Sequence, residues 1–307
     1  MTRTACVFPG QGSQSVGMLK ELADTHASVI DTFSEASSVL GYDLWDLVQN
    51  DPDNTLNETH ITQPALLTAS VAIWRVLQSK GLQVDYLAGH SLGEYSALVC
   101  AGAIDFKDAV KLVESRGRFM QEAVPAGAGA MYAIIGLDDA AIADICQQTA
   151  IATGDVVAPV NFNSPGQVVI AGEKNAAEQA ADACKAAGAK RALPLAVSVP
   201  SHCELMRPAA DKLEETLATL QINTPAINVV NNVDVNIETE SDAIRNALVR
   251  QLYCPVQWTR TVEYLAAAGV TRVIEVGPGK VLTGLNKRID KSLDAIAVNT
   301  PDGVAEL

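Results

Sequence analysis

Three short strand-like runs in this chain each end in a glycine-rich exit, a repetition that constrains the fold more than any other feature. Thr4 to Phe8 runs into Pro9-Gly10-Gln11-Gly12-Ser13-Gln14, Val84 to Ala88 into Gly89-His90-Ser91-Leu92-Gly93, and Arg272 to Val276 into Gly277-Pro278-Gly279. Helical stretches separate them. Leu92 to Cys100 is an apolar helix, and Thr62 to Lys80 is a longer one, with Pro64 near its start and Gly81 just past its end. Strands alternating with helices imply a parallel α/β sheet. Such sheets bind ligands beyond their strand carboxyl ends, so the three exits should converge on one site.

From Gly129 to Ser198 the pattern tightens. Met131 to Ile135, Val156 to Asn161, Val168 to Ala171 and Arg191 to Val197 read as strands, with helices over Asp138 to Thr149 and Glu173 to Ala187. That order is β-α-β-β-α-β, the ferredoxin-like arrangement. Afterwards Cys203 to Leu220 reads as a helix and Ile227 to Val230 as a strand. A length of 307 residues suits one large unit carrying a smaller one. The expected organisation is a large α/β catalytic domain over 1–127 and 199–307, interrupted by a small subdomain over 128–198, with the site between them.

Composition narrows the function classes. With 22 Lys+Arg against 36 Asp+Glu the formal charge is −14, which disfavours non-specific binding to nucleic acid or anionic membranes. Met1 to Pro9 lacks a charged segment followed by a long apolar stretch, and the run Ala65 to Trp74 is too short to span a bilayer. Cysteines at 6, 100, 146, 184, 203 and 254 have no C-x-x-C spacing, which fits reduced thiols rather than a disulfide or zinc framework. The expectation is a cytoplasmic monomer with no membrane partner, no nucleic acid and no structural metal. Cys203 follows a histidine, yet reads as a packing residue.

Gly89-His90-Ser91-Leu92-Gly93 fits the G-x-S-x-G pattern of a nucleophile elbow and nominates Ser91. The rival reading is a serine in an ordinary turn; the strand before it and the helix after it favour the elbow. Backbone N–H groups at that helix start can face a developing oxyanion. A serine nucleophile needs a base, and the chain has only His26, His60, His90 and His202. His26 lies in a polar helical stretch and His60 in a polar linker. His90 adjoins Ser91 on a turn where its side chain should diverge. His202, in Val199-Pro200-Ser201-His202 on the return from the insert, remains as the base.

The helix Asp105 to Val124 supports a further inference. Ala109, Leu112, Val113 and Met120 form one apolar stripe and Arg116 falls on it, whereas at about 100° per residue Arg118 points to the solvated face. An uncompensated buried guanidinium costs several kcal/mol. Arg116 must therefore meet either an internal acid or an anionic ligand, and its planar fork suits a carboxylate. Gly117 is expected to leave room beside it.

These residues closely resemble the malonyl-CoA:acyl-carrier-protein transacylase family over nearly the whole chain. The likeness is carried by Val7 to Gln14, Gln63-Pro64-Ala65, Gly89 to Tyr95, Arg116-Gly117, Pro200-Ser201-His202 and Glu275-Val276-Gly277-Pro278-Gly279. The resemblance implies an α/β-hydrolase-like parallel sheet domain with the ferredoxin-like insert. It implies a ping-pong transfer in which Ser91, activated by His202, takes malonyl from coenzyme A and passes it to the phosphopantetheine thiol of acyl carrier protein. Both thioester partners are substrates, and no bound cofactor is expected. Arg116 would hold the malonyl carboxylate, backbone N–H groups of Gln11 and Leu92 would form the oxyanion hole, and the main chain at Gln251 would orient the histidine.

Two other classes stay open on the residues alone. A serine hydrolase or thioesterase would use the same elbow and base but release a free acid. A carrier-binding scaffold would keep the fold without the chemistry. A polyketide carrier is a further acceptor. Lys190, Arg191, Lys287, Arg288 and Lys291 are the basic residues that an acidic carrier could meet.

Overall fold

The computed structural model describes residues 3–197 and 199–307. Ser198, the last residue of the expected insert, lies outside them. Five strands form a parallel sheet: β1 (Arg3–Phe8), β2 (Tyr86–Gly89), β7 (Asn228–Val230), β8 (Val270–Val276) and β9 (Asp294–Val298). Their order is β7-β2-β1-β8-β9. The central strand β1 shows why the layers form. Its side chains alternate between faces, so Cys6 and Phe8 pack with the helices Thr59–Ser79, Leu92–Cys100 and Phe106–Ala123, while Ala5 and Val7 pack with Trp258, Val262 and Leu285 on the other side. A strand buried on both faces reads as an unbroken apolar run.

The remaining strands, β3 (Gly129–Ile135), β4 (Val157–Ser164), β5 (Gln167–Glu173) and β6 (Arg191–Pro194), form a separate antiparallel sheet in the order β4-β5-β3-β6. With its two helices, Asp139–Thr153 and Lys174–Ala186, this is the ferredoxin-like arrangement. The helices cover one face through Ile142, Cys146, Ala177 and Ala181. On the other face Met131, Val169 and Ala171 meet Cys203, whose thiol donates to the Pro200 carbonyl at 3.3 Å. Cys203 is thus a packing residue. The insert is also stitched to the large unit by backbone bonds, Phe162 N–H to Val256 O at 3.0 Å and Val256 N–H to Val160 O at 2.9 Å.

Several local expectations are corrected. The long helix begins at Thr59, so His60 sits in its first turn rather than in a linker, and Pro64 lies inside it. The start is fixed upstream: Thr62 Oγ1 bonds the Leu56 carbonyl at 2.6 Å, and Pro64 forgoes only one backbone bond. His26 does not lie within a helix but in extended conformation between Lys20–Thr25 and Ala27–Leu40. Strand β6 stops at Pro194, because the chain then turns and Val197 N–H bonds Leu195 O at 2.9 Å. The expected helix from Cys203 divides into a short 3₁₀ turn, Glu204–Met206, and a helix over Arg207–Ala218.

Candidate active site

Ser91 stands between the end of β2 and the helix Leu92–Cys100, with φ 51° and ψ −108°. A non-glycine residue in that region costs about 1–3 kcal/mol and persists only where its surroundings enforce it. Two kinds of contact do so here. First, the glycines allow the backbone to close: a Cβ on Gly89 would lie 1.8 Å from the Gly93 carbonyl carbon, and one on Gly93 would lie 2.0 Å from the Phe8 oxygen. Second, Ser91 N–H donates to Asn232 Oδ1 at 2.7 Å, while Asn232 Nδ2 donates to Gly89 O at 2.6 Å. Asn232 thereby grips the elbow on both sides of His90, at the peptide groups that lead into the serine.

His202 arrives from the other half of the chain, also with positive φ (64°). Its N–H donates to Leu252 O at 3.0 Å and its Nδ1 lies 2.6 Å from Gln251 O. A carbonyl only accepts, so Nδ1 carries the proton and Nε2 presents its lone pair. That nitrogen lies 2.8 Å from Ser91 Oγ. Burial, followed by the nearby Arg116 charge, pushes His202 down to about 3, so the ring is neutral and able to accept a proton near neutral pH. Among the described residues no carboxylate pairs with the ring; its Nδ1 meets the main-chain oxygen of Gln251 instead.

Arg116 is 1% exposed, whereas Arg118 is exposed and pairs with Glu114 at 3.5 Å, as helical phase predicts. The Arg116 guanidinium donates to Gln63 Oε1 and to Gln251 Oε1, each at 2.8 Å, and reaches Ser91 Oγ at 3.4 Å. Among the described residues it forms no ion pair, and its Nε–H has no partner. The internal acid allowed by the sequence is therefore not in contact with it. Two neutral amide oxygens hold the cation and leave its charge for something else. Gly117 does not leave open space: its missing Cβ admits the backbone of His60, which a methyl would meet at 2.6 Å. That close approach brings Gln63 to Arg116.

A cavity of about 110 Å³ is lined by Ser91, His202 and Arg116 together with Met131, Leu195 and Val197 of the insert. Gln11 and Leu92 also line it. Leu92 N–H is the first of its helix and has no intrahelical acceptor. The loop bearing Gln11 is drawn against the elbow because Gly10 has no Cβ; one there would sit 2.5 Å from His90 O. His90 turns away from Ser91, its Nε2 2.8 Å from Asn163 Oδ1 and its ring against Trp258. His60 instead bonds Gln121.

Sequence reasoning missed Asn232, and its setting after a three-residue strand carries no local signal. It also passed over Glu94, within the Gly89 to Tyr95 segment. Glu94 is buried, and one carboxylate oxygen accepts from Asn232 N–H at 3.0 Å and Gln251 Nε2 at 2.7 Å.

The chain is similar to known proteins over nearly its whole length. The profile of the acyl transferase domain family matches residues 5–301. A malonyl CoA-acyl carrier protein transacylase of Escherichia coli K12 is 66% identical over 306 residues, covering 99% of this chain and 98% of its own length. One from Bacillus subtilis is 46% identical, covering 99% and 96%. A solved acyl carrier protein S-malonyltransferase from Vibrio cholerae superposes with a TM-score of 0.97 at 65% identity, covering 99% of each chain. A malonyl-transacylase solved in complex with its type II PKS acyl-carrier protein has the same TM-score at 63% identity, covering 99% of this chain and 98% of its own.

Proposed function

The chain belongs to the acyl transferase domain family, among its malonyl CoA-acyl carrier protein transacylases, and from that membership we propose how its residues perform the transfer. It is an enzyme that moves malonyl from malonyl-CoA to acyl carrier protein in fatty-acid synthesis. In our reading Ser91 Oγ attacks the thioester carbonyl as its proton passes to His202 Nε2. The tetrahedral oxyanion is received by the N–H groups of Gln11 and Leu92. Collapse breaks the C–S bond, the coenzyme A thiolate takes the proton from His202, and malonyl remains on Ser91. The phosphopantetheine thiol of the carrier then gives its proton to His202 and attacks the ester carbonyl; collapse breaks the C–Oγ bond, Ser91 Oγ takes the proton back from His202, and malonyl leaves as the carrier thioester.

Arg116 selects the acyl group in this scheme by holding the free malonyl carboxylate. Gln251 orients His202 through its main-chain oxygen. The carrying observation is the contact of Ser91 Oγ with His202 Nε2 at 2.8 Å beside a buried guanidinium that forms no ion pair among the described residues. Malonyl-CoA and phosphopantetheine enter as substrates, with no resident cofactor. We also place the enzyme as a cytoplasmic monomer, a compartment supported by six unpaired cysteines. No helix among the described residues is long and apolar enough to cross a membrane. Exposed Lys190, Arg191, Lys287, Arg288 and Lys291 are the proposed carrier-facing cations.

Rapid quenching after mixing with malonyl-CoA, followed by intact mass measurement, should show one malonyl adduct that Ser91→Ala abolishes. Adding saturating carrier should discharge it to malonyl-carrier. Release of free malonate instead would make the enzyme a hydrolase. The solved complex with a type II PKS carrier supports a second acceptor class, tested by offering both carriers in competition.

A further inference from the structure

Glu94 takes no part in the transfer described above, yet its buried carboxylate bonds two residues that touch the nucleophile. Glu94 Oε2 accepts from the side-chain amide of Gln251 and from the backbone of Asn232. The same Gln251 amide nitrogen donates to Ser91 O at 3.0 Å, and its oxygen accepts from Arg116 at 2.8 Å. We propose that Glu94 is a positioning residue for acyl-group selection, which aims Arg116 at the substrate carboxylate through the side chain of Gln251. The proposal rests on the assignment of Arg116 to the malonyl carboxylate.

The argument concerns which end of an amide faces which neighbour. An ionised carboxylate only accepts, and so does the Ser91 carbonyl, so the Gln251 NH₂ must point at both. The amide oxygen is then left for Arg116, which only donates. Reversing the amide would set oxygen against two acceptors and NH₂ against a guanidinium. Burial strengthens this ordering, because in a low dielectric the anion polarises the amide that bridges it to the cation. Tyr95, whose ring lies 5.2 Å from the guanidinium carbon, and Gln63 bound the remaining sides of Arg116. With Glu94 neutral, one of the two acceptors that fix the amide is weakened, and Arg116 is freer to turn toward Ser91 Oγ.

The experiment is a double-mutant cycle on kcat/KM for enzyme acylation by malonyl-CoA and acetyl-CoA, using wild type, Glu94→Gln, Arg116→Ala and the pair. Glu94→Gln should cut malonyl acylation about tenfold more than acetyl acylation, and this selective loss should vanish when Arg116 is already absent. Equal loss for both acyl groups, or an equal malonyl loss with and without Arg116, would show a merely structural Glu94 and overturn the proposal. If Arg116→Ala keeps the malonyl preference, the assignment of Arg116 fails, whatever Glu94 does. Should Glu94→Gln not fold, the wild type supplies the measurement. Glu94 faces Arg116, Tyr95, Asp234, Glu238 and, across Gln251, His202, and burial raises it to about 7. The malonyl-to-acetyl ratio should therefore fall several-fold as pH drops through that region. A ratio constant from about pH 5.5 to 8.5 would overturn the proposal.

Discussion

Arg116 and His202, the buried cation and the imidazole beside Ser91, are both held by Gln251: the side-chain oxygen takes one and the main-chain oxygen takes the other. The two are thus fixed in relation to each other, and the charge of one acts on the proton affinity of the other. Burial and then Arg116 lower His202, while the Gln251 carbonyl works in the opposite direction and His90 adds a smaller lowering.

Removing that charge should move a pH limb. As the proposed base His202 works when neutral, so activity should be lost as pH falls through its pKa, lowered to about 3. Arg116→Ala deletes one lowering cause and should shift the acid limb of acetyl-CoA acylation upward, toward the ordinary histidine range. Single-turnover acylation between pH 4 and 8 checks this: the wild-type rate should show no histidine limb there while the variant rate falls at the acid end, and a variant profile identical to wild type would mean that the two groups are electrostatically independent.

Gln251→Ala separates the residue's two roles. The carbonyl that holds His202 survives, but Arg116 loses a buried acceptor worth about 1.5–3 kcal/mol. Malonyl acylation should drop roughly 10- to 100-fold, with acetyl acylation reduced much less. Equal losses for the two thioesters would place the damage on the dyad instead.

At the elbow, Gly93→Ala tests close approach. Its Cβ would lie 2.0 Å from the Phe8 carbonyl oxygen, a backbone atom that cannot step aside without shifting β1. A loss of about 3 kcal/mol or more is expected, seen as a fallen thermal midpoint or insoluble protein. A variant with wild-type stability would refute the packing argument.

Asn232→Ala removes the acceptor for Ser91 N–H and the donor to Gly89 O. About 2–4 kcal/mol of stability should go, since two polar groups at the elbow lose their partner. Acylation should slow as well, because Ser91 then has less reason to hold its positive φ. Chemical denaturation and burst-phase acylation, compared side by side, check both halves.

Glu94→Gln should behave unusually with pH. The folded-state pKa of Glu94 is raised from 4.5 to about 7, so the native state binds more protons than the unfolded chain between those values. The stability this contributes is fully present below about pH 4.5 and is lost as pH rises through 7, on the order of 3 kcal/mol. His202 tilts the wild type oppositely, having a lowered pKa, but it is common to both proteins. The variant should therefore gain on wild type as pH climbs from 5 to 8, whereas parallel denaturation midpoints across that range would place the Glu94 pKa near its ordinary value.

Much of the fold was legible because its signals are local. Apolar runs ending in glycine mark β1, β2 and β8, and the compact strand-helix rhythm expected over residues 129–198 marks the ferredoxin-like unit, whose last strand ends at Pro194. Helical phase alone separated buried Arg116 from exposed Arg118. Boundaries were less legible where a distant or irregular contact sets them. The helix start at Thr59 depends on the Thr62 hydroxyl capturing the Leu56 carbonyl, and the end of β6 on a tight turn at Val197.

Residue type and period along the chain therefore determined the parallel sheet, the interrupting insert, the candidate nucleophile at Ser91, the single suitable histidine at His202 and the buried face of Arg116. Only the tertiary structure decided what those groups touch. Arg116 meets amide oxygens instead of an acid, His202 leans on a carbonyl 49 positions away, and Ser91 is gripped by an asparagine 141 positions away. Amphipathic period is a property of one segment's own geometry, whereas a hydrogen bond between remote segments depends on how packed layers bring them within about 3 Å. For that reason the strand, turn and helix of the elbow could be read along the chain, and the Glu94–Gln251–Arg116 connection could not.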